Sequence, residues 1–209
     1  MDVFSIKIFL YLIIVLSAVF HEYAHSWVAY RLGDMTAKNA GRLTLNPLVH
    51  LDLFGTVIMP LFLLFTSGIF LGWAKPVPYN PFNLRDKKYG TLKVGIAGPS
   101  ANLLIALFFG LFLRFFSGYF LAAAILPPIF IQFLGLIIYI NIFLALFNLL
   151  PFPPLDGSKV FATLFPRQWR SFSRLGFMGI FLALFIAFFI LSPIAQFIFW
   201  LITGVGFSF

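Results

Sequence analysis

The sequence predicts an all-α polytopic membrane protein, with about four full transmembrane helices plus a membrane-embedded re-entrant segment with short extended strands. Three observations predict it. Of the 209 residues, 62% are Ala, Val, Ile, Leu, Met, Phe, Trp, Tyr or Cys and only 10% are charged, against about 25% charged residues in soluble domains. The charges are clustered, leaving long charge-free runs between them. Those runs are continuously apolar rather than alternating, which favours helices over a closed barrel. So apolar a chain excludes both a water-soluble fold and disorder. The absence of Cys excludes disulfides, thiolate catalysis and thiolate metal sites.

The elements follow from the charge-free runs. Between Lys7 and Arg31 the ionisable side chains are His21, Glu22 and His25. Residues 6–30 read as a retained first span rather than a signal peptide, because Asp2 cancels Lys7 and no A-x-A site follows. Leu53–Ala74 is charge-free, as is Val94–Leu113, which sets a span at about 94–116. Phe115–Leu155 runs 41 residues without a charge and holds a span near 129–150. Leu175–Phe209 runs 35 residues and holds the last, at about 175–203. The longest polar stretches are Arg31–Asp52, Lys75–Lys93 and Gly157–Arg174, too short for a soluble domain. One integral membrane domain over 1–209 is therefore expected.

The first chemical signal lies inside the first span. His21-Glu22-Tyr23-Ala24-His25 is a His-Glu-x-x-His pattern. Residues i and i+4 share a helix face, so the two imidazoles can grip one metal ion, with Glu22 beside them as a base for the attacking water. Ionisable side chains at membrane depth cost roughly 2.5–3.5 kcal/mol each on the lenient insertion scale, and three lie here on two turns of an otherwise apolar span. A proton relay or a polar packing patch between helices is the alternative.

A catalytic zinc site uses three protein ligands. Without Cys, the third comes from Asp2, Asp34, His50, Asp52, Asp86 or Asp156. Asp2, Asp34 and Asp86 sit in polar ends or loops beside basic residues and are most simply solvated. His50 and Asp52 follow Asn46-Pro47 and would cap the next helix, or one of them would approach the metal. Asp156 ends the longest charge-free run, in Asn148-Leu-Leu-Pro-Phe-Pro-Pro-Leu-Asp-Gly157. Three prolines cannot continue a helix, and irregular backbone at membrane depth must be buried or line a cavity. Gly157 frees the backbone beside the carboxylate. Asp156 is thus either a ligand on a broken turn or an interfacial Asp at an ordinary Pro-rich helix end.

These residues resemble the site-2 proteases, intramembrane zinc metalloproteases that pair HExxH in one transmembrane helix with Asn-x-x-Pro…Leu-Asp-Gly in a later one. Gly98-Pro-Ser-Ala-Asn102 is similar to the family's Gly-x-x-x-Asn element. Arg42-Leu-Thr-Leu-Asn46-Pro47 and Gly72-Trp-Ala-Lys-Pro-Val-Pro78 look like those of short bacterial members. The likeness covers roughly residues 18–160. It implies that His21, His25 and Asp156 bind one Zn2+ per chain, that Glu22 is the general base, and that the substrates are transmembrane proteins. Larger members carry PDZ or CBS domains, for which this chain has no room.

Topology is then constrained. For the two motifs to meet, the ends of the first and third spans share a membrane face, and residues 31–93 leave that face and return to it. The run 53–74 is accordingly expected to re-enter, as a helix from about Asp52 and an extended return near Leu71–Tyr79; a simple crossing is the alternative. This arrangement puts all of the 14 basic residues except Lys7 and Arg114 on the active-site side, which makes that face cytoplasmic. The +8 net charge then reflects topology and anionic lipid rather than nucleic acid. Asn102 and Asn148 would hold substrate backbone or an oxyanion, or bond between helices. The Gly72–Tyr79 segment would pair with substrate as an added strand, or be a loop with a Trp anchor. A metal transporter or channel using the same His and Asp residues is the rival function, although the later spans carry no further His or carboxylate.

Overall fold

The computed structural model describes residues 3–68, 72–122, 127–176 and 178–207. The chain forms two compact units, Met1–Gly98 and Pro99–Phe209. Among the described residues every regular element is helical. Four helices are long and apolar enough to cross a membrane: Phe4–Arg31, Gly90–Tyr119, Ile129–Asn148 and Met178–Thr203. Each matches a span expected from the charge gaps.

In the first unit, α1 (Val3–Arg31) is followed by a one-turn α2 (Thr36–Asn39). Asp34, expected to be solvated, instead organises the joint between them, because four donors replace the water. It is fully buried and its carboxylate accepts from the Thr36 hydroxyl (2.6 Å), the Thr36 N–H (3.1 Å), the Asn80 N–H (2.6 Å) and the Asn83 amide (3.0 Å). Burial alone would raise its pKa. The four hydrogen bonds outweigh that and hold the carboxyl below the ordinary carboxylate value. Behind it, Ala29, Leu84 and Val94 form a small buried cluster.

The next apolar run is a wide π-type turn, Leu53–Ile58, continuing into α3 (Met59–Thr66). Asp52 caps it reciprocally: its carboxylate accepts from the Gly55 N–H (2.6 Å), while its own N–H donates to the Thr56 hydroxyl (3.0 Å). These 14 residues reach only about 21 Å at 1.5 Å per residue, short of a hydrocarbon layer of about 30 Å. As a helix this run alone is too short to cross.

The expected strands are a correction. Residues 72–80 carry no regular structure and form no sheet; Leu71 of the expected return lies outside the described residues. Pro76 and Pro78 have no N–H to donate to a ladder, and the carbonyls of Lys75 and Pro76 are already taken by the Arg42 side chain. A re-entrant hairpin with strands is thus not what this segment builds. Backbone groups bond instead to the loops around it, as Trp73 N–H does to the Gly55 carbonyl (2.9 Å) and Lys75 N–H to that of His50 (3.0 Å).

α4 (Gly90–Ala122) runs through the boundary and carries Pro99 in its interior. In the second unit it is followed by α5 (Pro128–Asn148), α6 (Asp156–Leu164), α7 (Pro166–Phe172), α8 (Met178–Ile186) and α9 (Ser192–Thr203). A π-type turn, Ala187–Leu191, joins α8 to α9. It widens the helix just before Pro193, whose ring would clash with a regular preceding turn. The buried core is Ala106, Leu113, Leu134, Ile138, Ile142, Ala195 and Phe199, from α4, α5 and α9. Arg114 donates to the Leu201 carbonyl (2.8 Å), satisfying a carbonyl in the last turn of α9. Phe108, Phe115, Phe181, Phe188, Phe189 and Phe197 point outward, the surface expected of a helix that faces lipid.

Candidate metal centre

His21 and His25 lie on one face of α1, both buried, with ring centroids 4.7 Å apart and planes at 80°. His25 Nδ1 is 2.6 Å from the Val94 carbonyl oxygen. A carbonyl can only accept, so Nδ1 carries the proton and Nε2 keeps its lone pair for a metal. The two Nε2 atoms converge on one spot beside Gly98 of α4. A Cβ at residue 98 would collide with both of them. Glycine leaves open a space that any other residue would fill, and two imidazole nitrogens border it. This donor pair and its cradle fit a tetrahedral ion with an open position.

Glu22, half-buried, accepts a hydrogen bond at Oε2 from the Val77 N–H (3.0 Å). Its main-chain carbonyl accepts from the Ser26 hydroxyl (3.1 Å).

In the second unit Asp156 is the first residue of α6, buried, and paired with Lys159 one turn on (2.7 Å). The preceding turn includes a cis Pro153–Pro154 peptide. Gly157 is needed for a reason the sequence did not show. Its φ is not positive; a Cβ there would run into the backbone of Leu149 and Leu150. The turn folds so closely on the end of α5 that only glycine fits.

The amides read as candidate substrate contacts are engaged locally. Asn102 is fully buried and donates to the Asn141 side-chain oxygen (2.8 Å), while Asn141 donates to the Ile137 carbonyl (2.8 Å). Asn148 donates to the Leu144 carbonyl (3.0 Å). His50 is buried with Nε2 against the Thr44 carbonyl (2.8 Å), and its Nδ1 has no hydrogen-bond partner among the described residues.

Sequence reasoning had not singled out Arg42 beyond its motif. It is buried, and one Nη2 donates to the carbonyls of both Lys75 (2.8 Å) and Pro76 (3.2 Å). A basic residue so close to an apolar span, followed by Asn-Pro, was the available signal.

Residues 9–192 match the model of peptidase family M50. The chain belongs to that family. M50 relatives agree in the chemistry their names carry. A Bacillus subtilis protein named "Putative zinc metalloprotease YwhC" is 38% identical over 208 residues, covering 97% of this chain and 89% of that protein. Rip2 of Mycolicibacterium smegmatis, named as the same kind of enzyme, is 34% identical over 68% of this chain and 51% of its own length. MJ0611 of Methanocaldococcus jannaschii, again so named, is 29% identical over 75% of this chain and 72% of its own. No solved structure matches. The M50 assignment makes the chain a metalloprotease.

Proposed function

We propose that this M50 protein is an intramembrane zinc endopeptidase that hydrolyses peptide bonds within or near the transmembrane segments of other membrane proteins. The observation that carries the reading is the convergence of His21 and His25 Nε2 beside Gly98, with Glu22 adjacent in sequence. Three buried side chains of ligand type, His21, His25 and Asp156, form the proposed ligand set for one zinc per chain. Asp156 is supported by its motif and by the tight turn that Gly157 permits.

When bound, zinc supplies a Lewis acid for the scissile carbonyl and makes water acidic enough to ionise near neutral pH. Glu22 takes the proton of the attacking water and returns it to the leaving amine, a role that typically contributes 10²–10⁴-fold. Its Oε2 is held by the Val77 N–H, so Oε1 is the atom offered to water. His25 keeps its Nε2 lone pair because Val94 holds the proton on the opposite nitrogen. Such a protease meets its substrates in the bilayer. The basic loops support an active site on the cytoplasmic side of a bacterial cell membrane, and regulated intramembrane proteolysis is the process in which this chemistry would serve.

The test is Glu22→Gln. Gln keeps size and shape but cannot accept the proton. Cleavage of a model transmembrane peptide should fall by about 10²-fold or more, with zinc content per chain unchanged. Wild-type cleavage by zinc-loaded Glu22→Gln would reject Glu22 as the base. Loss of zinc alongside activity would reassign it as a ligand, and metal flux without cleavage by the wild-type protein would favour a transporter.

A further inference from the structure

The five residues Trp73–Val77 form a strap tied down through main-chain atoms, the last of which bonds to Glu22 of α1. Trp73 N–H donates to the Gly55 carbonyl and the Trp73 carbonyl accepts from the Thr56 hydroxyl (2.8 Å). Lys75 N–H donates to the His50 carbonyl. The carbonyls of Lys75 and Pro76 accept from one Arg42 Nη2, and the next N–H, that of Val77, reaches Glu22. Arg42 is itself fixed at both ends of its backbone. Its N–H donates to the Ala37 carbonyl (2.8 Å), and its carbonyl oxygen lies 3.3 Å from the Ser26 hydroxyl of α1, which the Glu22 carbonyl shares. Ser26 is fully buried and its hydroxyl lies 3.1 Å from the carbonyl oxygen of Glu22. The guanidinium therefore grips the two carbonyls just ahead of the N–H that holds the Glu22 carboxylate, from a base tied to the same helical turn as Glu22.

We propose that Arg42 is a positioning residue of the reaction: by clamping the Lys75 and Pro76 carbonyls it aims the Val77 N–H at Glu22 Oε2 and so fixes the rotamer in which Oε1 faces the water. The proposal rests on Glu22 being the base. Guanidinium suits the task because one nitrogen carries two hydrogens in a fixed plane, and two adjacent carbonyls fix its direction. A lysine ammonium in the same place is a rotating point charge on a flexible stem. Carboxylate orientation matters to the chemical step more than to substrate capture, since misplacement of about 1 Å can cost about 10²-fold.

The experiment uses purified full-length enzyme in detergent, with cleavage of a model transmembrane peptide measured per folded, zinc-loaded molecule. Arg42→Ala, Arg42→Lys, Val77→Pro and the Arg42→Ala/Val77→Pro double variant are compared with Glu22→Gln. Val77→Pro removes the N–H itself and leaves Arg42 in place. Expected are kcat losses of about tenfold or more for Arg42→Ala and for Val77→Pro, with KM within about twofold and zinc content unchanged. Arg42→Lys should recover part of the loss, and the double variant should be no slower than Val77→Pro alone. Should Arg42→Ala fail to fold, Val77→Pro carries the test. Wild-type kcat in folded Arg42→Ala or Val77→Pro, or losses that multiply in the double variant, would overturn the proposal while an inactive Glu22→Gln leaves the base assignment standing. An active Glu22→Gln would instead remove the base assignment on which the proposal depends.

Discussion

At the scale of single residues, the proposed metal centre depends on an absent side chain as much as on its candidate ligands. Gly98 leaves the space that both imidazole Nε2 atoms border. Gly98→Ala keeps every ligand, yet its methyl must push the two rings apart, because buried rings on a packed helix have little room to move. Zinc content should drop well below one per chain and cleavage should fall with it, while the helical circular dichroism stays. Unchanged zinc binding in Gly98→Ala would mean that the rings move aside freely. His21, Glu22 and His25 stand out in the sequence as candidates because polar groups are conspicuous in an apolar span. The role of Gly98 does not, since a glycine's function lies in what another element brings near it. Arg42 was hidden for the same reason: its partners are main-chain carbonyls more than 30 residues away, and carbonyls carry no sequence signature.

At the scale of elements, the joint after α1 offers a pH test outside the membrane spans. The Asp34 carboxyl is held below its ordinary value by four hydrogen bonds that together outweigh its burial. A depressed folded-state value means that its contribution to stability is fully present above about pH 4, the unfolded value, and is lost as pH falls through the lower folded value. Thermal unfolding followed between pH 7 and 3 should show a loss below pH 4 that is absent in Asp34→Asn, which cannot ionise. Asp34→Ala should cost roughly 2–3 kcal/mol at neutral pH, because it leaves the Asn80 and Thr36 N–H groups without their acceptor. An acid profile identical in wild type and Asp34→Asn would remove Asp34 as its origin. The Asn102–Asn141 pair in the second unit makes a parallel case. Asn141→Ala should cost about 1 kcal/mol, the order found for hydrogen bonds between membrane helices. If Asn102 serves only packing, Asn141→Ala leaves KM unchanged; a raised KM would indicate that Asn102 also holds substrate.

The elements themselves were largely legible. Each of the four spans lies where a charge gap was long enough for one, because charge exclusion is the strongest rule in a membrane. The segment after Asp52 was not, for it follows no such rule. Pro60 and Gly68 interrupt it, its first turn is widened, and its return is tied down by Thr56, His50 and Arg42 rather than by a partner strand. Period-2 patterning cannot distinguish a strand from a strap whose hydrogen bonds go to side chains and loops.

For the whole molecule, the proposed cytoplasmic active site predicts that residues 31–89 stay on one side of the membrane. Cysteines placed at Lys38 and Lys87 should both react with an impermeant thiol reagent from the cytoplasmic side, in a chain with no native Cys to interfere. Labelling from opposite sides would require a fifth crossing and overturn the arrangement. The strap beside Glu22 has a further consequence for how the chain tolerates change. Its contact is made by a main-chain N–H, so the identity of residue 77 carries almost no information except that it is not proline. In a saturation library selected for cleavage, position 77 should accept nearly any residue that has an N–H, whereas position 42 should accept arginine and little else. Neutral drift would erase Val77 from related enzymes while leaving the bond it makes intact.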